Sequence, residues 1–223
     1  MANQLDLEEQ EQLDQIKHFW QQYGNLISWL LIAVLGAFAS WNFYNYWQRQ
    51  QATQAAAMYD EVERVAHSGD LPKLDRAWTD MKDKFSSTTY AQQAGLLAAK
   101  VYFSAGKTDQ TEAALAWVAE QASDEGYRAI AKLRLSGVLL EAKSYDQALK
   151  QLSGNFPTEF KPLVTDRMAD IYLQQGNTAQ AIQHYNQSYK GLDERVEYRS
   201  LVEVKLNALG VNPRESQAKE GAK

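Results

Sequence analysis

Few residues in this sequence are suited to covalent or acid–base chemistry, and they are scattered. His18, His67 and His184 stand isolated, with no second ligand standing out at metal-binding spacing. There is no cysteine, which excludes disulfides, zinc–thiolate sites and a thiol nucleophile. The G-x-S-x-G elbow, the P-loop and the G-x-G-x-x-G fingerprint are all missing. Asp80 with Asp83, and Asp124 with Glu125, are carboxylate pairs of the kind solvated helix faces produce routinely. Ser86-Ser-Thr-Thr89 reads as an inter-helix loop with capping residues. No catalytic, cofactor-binding or metal-binding residue is expected, and the chain reads as a non-enzymatic protein.

Binding surface is what the sequence offers instead. Ala33, Gly36, Ala37 and Ser40 recur at i, i+3, i+4 and i+7 within an apolar stretch, a smooth face against which another membrane helix could pack. Lys100, Arg128, Lys132, Arg134 and Arg167 fall on segments expected to line one groove wall. Both sets depend on helices to position them.

The apolar stretch covers residues 26–47, and no Asp, Glu, Lys or Arg occurs between Lys17 and Arg49. At about 1.5 Å per residue it reaches across a hydrocarbon core of about 30 Å. Phe19, Trp20 and Tyr23 precede it, and Trp41, Phe43, Tyr44, Tyr46 and Trp47 close it. These are the amphipathic rings that favour the headgroup layer. One transmembrane helix is expected. Ala37-Phe-Ala39 resembles a signal-peptide cleavage site, but the preceding residues are acidic where a basic region would be required. An uncleaved anchor is therefore the expectation.

The formal net charge is −5. Residues 1–25 carry most of it as Asp6, Glu8, Glu9, Glu11 and Asp14 against Lys17, an acidic tail with a helical stripe of Leu13, Ile16, Trp20 and Tyr23. The stripe suits a membrane surface, a partner, or a simple extension of the span. The rest of the chain is nearly neutral, with no basic stripe for nucleic acid and no polybasic lipid anchor. Lys17 on one side of the span and Arg49 and Arg64 on the other leave orientation undecided by charge.

Residues 48–210 show no strand-type alternation and read as helices joined by short turns. Three segments share one layout. Aligning Tyr102, Leu139 and Tyr172 also aligns Gly106, Lys143 and Gly176. It then aligns Thr111, Ala148 and Ala181, and finally Leu115, Leu152 and Tyr185. The layout resembles the tetratricopeptide repeat, a helix–turn–helix unit of about 34 residues. A turn glycine there accepts a left-handed conformation, and a small residue lets the second helix cross close to the first. Lys143 departs from the turn Gly and Thr111 from the small Ala. Ser144-x-x-Gln147 and Asn177-x-x-Gln180 read as capping boxes. A degenerate pair is expected at residues 53–66 and 71–85, with Asp70 as cap and Pro72 in the first turn. A last helix is expected over 193–209, with Val196, Leu201, Val204 and Leu209 inward and Gly210 as its stop. Residues 211–223 read as a disordered tail. The first helices of the pairs, at about 90–104, 127–142 and 164–174, carry the five cations but no Asn. A groove for extended segments therefore fits better than a Lys-and-Asn carboxylate clamp.

An acidic tail, one aromatic-flanked span and a degenerate array in this order resemble the YfgM-like family, ancillary subunits of the bacterial SecYEG translocon. The turn at Ala105-Gly106-Lys107 and the stretch to Trp117, with the Gln174-Gln-Gly176 turn, are similar to that family. The resemblance implies an all-α inner-membrane protein with a cytoplasmic N-terminus and a periplasmic tetratricopeptide-like array. It implies association with the translocon and with the membrane-anchored chaperone PpiD, and a role in passing secreted proteins to periplasmic chaperones. A scaffold or regulator holding one folded envelope protein is the alternative.

Overall fold

The computed structural model describes residues 7–214, with side chains from Glu11 onward. Among the described residues the regular structure is all helix, with no strand. Two compact units divide between Gln51 and Ala52. Asp6 and the side chains of Glu8 and Glu9 in the expected acidic tail, and residues 215–223 of the expected disordered one, lie outside what is described.

Helix α1 is Leu7–Ser68. Up to Gln51 almost every described side chain is exposed, Trp29, Leu35, Phe38 and Trp41 among them. Among the described residues this is one helix long and apolar enough to cross a membrane, and none of its apolar window is buried within the protein. The polar side chains inside the stretch satisfy themselves locally. Ser40 Oγ donates to the Gly36 carbonyl at 2.8 Å, and Asn42 Nδ2 to the Phe38 carbonyl at 3.0 Å. Lipid offers no alternative partner, so this is the arrangement a span requires.

From Ala52 the chain builds a stack. Gly69, at φ +71°, ends α1. Asp70 then accepts from the Lys73 amide at 3.1 Å and opens α2, Leu71–Phe85. Three helix pairs follow: α3 (Thr89–Ser104) with α4 (Thr108–Gln121), α5 (Glu125–Glu141) with α6 (Tyr145–Leu152), and α7 (Lys161–Gln174) with α8 (Thr178–Gly191). A 3-10 turn, Thr158–Phe160, leads into α7, and α9 (Tyr198–Ala208) closes the stack. From α2 onward each helix packs on the next, and α3, α5 and α7 also touch in sequence.

The three turns inside the pairs are the same structure. Lys107, Ser144 and Asn177 donate their amides to the carbonyls of Tyr102, Leu139 and Tyr172 at 2.9, 2.8 and 2.8 Å. Gly106, Lys143 and Gly176 donate to Phe103, Leu140 and Leu173 at 3.0, 2.9 and 2.9 Å. These are Schellman closures, with the left-handed residue at φ +69°, +58° and +79°. Lys143 is the non-glycine residue with positive φ among those described. The crossing positions Thr111, Ala148 and Ala181 are all buried, as are Leu115, Leu152 and Tyr185 one turn later. Thr111 hides its hydroxyl by donating to the Lys107 carbonyl at 2.9 Å, which is why a polar residue is tolerated there.

Three expectations need correction. Ser144 makes no side-chain cap bond. Asn177 does cap, accepting from the Gln180 amide at 3.3 Å, but its own amide is engaged in the Schellman closure, so the reciprocal half of the box is replaced by Asn177 Nδ2 donating to Gln180 Oε1. The last helix starts at Tyr198, because Asp193 accepts from the Arg195 amide and holds residues 193–196 in a turn. Its inner face is Val202 and Leu206 with Tyr198 and Leu209 beside them, while Leu201 and Val204 stand 46 % and 62 % exposed. Residues 211–214 remain part of the array: Val211 packs on its last core cluster, Pro213 is buried and Arg214 pairs with Glu203 at 2.8 Å.

Candidate binding cleft

The five cations do not share one wall. Lys100, Arg134 and Arg167 converge on a cleft of about 430 Å³ between α3, α4, α5 and α7. Its apolar surface comes from Ala99, Phe103, Leu115 and Val138, and Glu141 stands at its edge. Arg128 and Lys132 lie instead on a second cleft of about 470 Å³, with Glu125 and the loop of Asn155, Phe156, Pro157 and Thr158. There Arg128 Nη2 donates to the Ala122 carbonyl at 2.7 Å, and Lys132 Nζ sits 5.5 Å from the Phe156 ring centroid. Arg128 thus ties α5 to the end of α4, and Lys132 ties it to the loop after α6.

In the first cleft Lys100 projects from α3 and Arg134 from α5, both exposed. Arg167 comes from α7 and lies across the bare backbone of Gly137, where an added Cβ would stand 3.6 Å from the guanidinium. Among the described residues its ion pair is a loose 3.8 Å contact with Asp170. Phe103 is 48 % exposed, the large apolar side chain of the three pairs that faces water. The sequence signal for the cleft was Lys100-x-x-Phe103, one turn apart on a helix just before the turn. Gly137, a glycine inside a helix, was missed.

Also missed was a polar network under the last pair. Asp166 is 1 % exposed. It accepts from Tyr198 Oη at 2.6 Å and from Lys205 Nζ at 2.9 Å. Lys205 Nζ also donates to Asp170 at 2.8 Å, and Tyr185 Oη donates to Asp170 at 2.6 Å. Burial, then the hydrogen bonds to Asp170 and Asp166, push the Tyr185 and Tyr198 hydroxyls well above the usual tyrosine range, so both remain donors. Tyr102 is held the same way by burial and its hydrogen bond to Asp75. The bonds to Asp166 and Asp170 fasten α7, α8 and α9, and the one to Asp75 fastens α3 to α2. Among the described residues no cluster of three His, Cys, Asp or Glu is placed to hold a metal.

The family model for the tetratricopeptide repeat-like domain matches residues 17–211. The chain belongs to this tetratricopeptide repeat-like, YfgM-like family. Similar proteins in the YfgM-like family include one from Neisseria gonorrhoeae, 30 % identical over 91 % of this chain and 98 % of its own length. Another from Haemophilus influenzae is 26 % identical over 91 % of this chain and 98 % of its own length. A third, from Escherichia coli, is 24 % identical over 91 % of this chain and 97 % of its own length. Each of the three is named an ancillary SecYEG translocon subunit. No solved structure matches the chain.

Proposed function

We propose that this YfgM-like chain is a non-enzymatic, membrane-anchored adaptor of the SecYEG translocon. Its span is 26–47 and its array follows from Ala52 and includes residues 211–214, with the N-terminus in the cytoplasm and the array in the periplasm. There it helps newly secreted proteins reach periplasmic chaperones, PpiD being the partner the resemblance implies. The observation that carries this reading is likeness over nearly the whole length. The relatives bearing the translocon name align over 91 % of this chain, so the apolar helix and the array are matched together. The face of Ala33, Gly36, Ala37 and Ser40 supports the translocon contact, because it is exposed along the helix and nothing stands within 4 Å of a Cβ added at Gly36.

In-membrane photocrosslinking tests it, with one probe at Gly36 or Ala37 and a second at Arg134. Capture of translocon subunits from the span, and of diverse secretory chains or a chaperone from the array, is the expected result. Capture of only another copy from the span and one folded envelope protein from the array establishes the scaffold instead.

A further inference from the structure

We infer that the cleft between α3, α5 and α7 is a selective subsite for extended polypeptide segments that place a carboxylate side chain beside an apolar one. This deepens the client-holding reading above and rests on it, by naming which segments are held.

Charge comes first. Three cations line the cleft against one acid, Glu141. Among the described residues Lys100 and Arg134 have no ion pair and no side-chain hydrogen bond; the Lys100 carbonyl is occupied by Ser104, but its ammonium is not. Arg167 has a nominal partner in Asp170, but it only approaches Oδ2 at 3.8 Å, and the charge of that carboxylate is already shared through Oδ1 with Tyr185 at 2.6 Å and Lys205 at 2.8 Å. At 3.8 Å from Asp170, the guanidinium retains donors for a further carboxylate. Arg128 and Lys132 make the contrast: one is bonded to a carbonyl and the other lies over an aromatic ring.

The apolar surface comes second. Phe103 lies one helical turn from Lys100 and stands half out of the array, with Leu115 and Val138 buried behind it. An aromatic ring beside unpaired cations offers a ligand both desolvation and charge. A volume of about 430 Å³ accepts a few side chains of a passing segment and not a folded surface. The cationic excess of Lys100, Arg134 and Arg167 over Glu141 disfavours basic segments, so selection has a repulsive part as well as an attractive one. The cations come from three different helices, so they can follow an extended chain across the helix pairs.

The test uses the full chain in detergent micelles and fluorescence anisotropy of labelled extended peptides. One peptide carries Asp beside Leu and Phe, a second carries Lys in place of Asp, and a third carries Asp with Ser in place of the apolar residues. All have amidated C-termini, so only the side-chain carboxylate is read. The first peptide is expected to bind at least about tenfold more tightly than the other two, and more weakly as salt rises. Arg134→Glu, an exposed position, is expected to weaken it about tenfold or more with the melting curve unchanged. Phe103→Ser is expected to weaken it while leaving the salt dependence in place. Equal binding of the acidic and basic peptides, or full affinity in Arg134→Glu, overturns the proposal. The assay contains no translocon, so that failure leaves the photocrosslink from Gly36 standing, whereas loss of that photocrosslink alone strikes the adaptor reading.

Discussion

Lys143 shows how one residue can obey its structural position and violate its own preference. The left-handed conformation costs an L-residue with a side chain about 1–2 kcal/mol. The Schellman closure imposes it regardless, with φ at +58°. Lys143→Gly relieves the strain but also loosens the unfolded chain, and is expected to raise stability by about 0.5–1 kcal/mol in urea unfolding. His184 works in the opposite sense. Its ring stacks on Tyr172 at 5.1 Å, and burial alone lowers its pKa below the ordinary 6.5. Above that value the imidazole is neutral in both folded and unfolded chains. As pH falls through it toward the depressed folded value, the unfolded chain takes the proton first, and stability is lost. His184→Phe preserves the stack and is expected to shrink the drop in melting temperature between pH 8 and pH 5.

At the scale of the element, α9 shows why hydrophobic counting mistook a helix face. Leu201 and Val204 are as apolar as Val202 and Leu206, so periodicity alone offered two registers. Asp166, in the facing helix, decides between them by recruiting Tyr198 and Lys205, which share a face with Val202. Lys205→Ala leaves that buried carboxylate without its cation and is expected to cost about 3 kcal/mol or more. Adding Asp166→Asn should recover part of the loss, since the amide oxygen can still accept from Tyr198. Thermal unfolding of the two variants measures both effects. The close approach of α3 to its neighbours is decided the same way, by contact: a Cβ at Gly95 would stand 2.5 Å from Val118 and 2.8 Å from Trp78.

For the whole molecule, stability belongs to the stack from Ala52 onward. Ala55, Val62 and Val65 of α1 are buried in the same cluster as Leu74, Trp78 and Met81 of α2. The end of α1 therefore serves the array as its first helix, in the way a repeat stack needs a covered terminus. A chain of residues 52–214 is expected to be soluble and to melt cooperatively. A chain beginning at residue 71 is expected to lose cooperativity and aggregate, because it uncovers Leu74 and Trp78. Circular dichroism melts with light scattering compare them.

Sequence alone determined what is local or periodic. The uncharged stretch from 18 to 48 is a property of consecutive residues, and the aromatic girdles flank it directly. The repeat layout was legible because Tyr102, Leu139 and Tyr172 stand at fixed distances from their turns, and each turn closes onto a carbonyl a few residues away. Tertiary structure decided what depends on distant partners. Asp166 meets Tyr198 and Lys205 across more than thirty positions of chain. The five cations look alike in sequence, yet only Lys100, Arg134 and Arg167 converge. Convergence depends on how successive helix pairs turn relative to one another, and that turn is set by side-chain packing between the pairs, not by the spacing within any one of them.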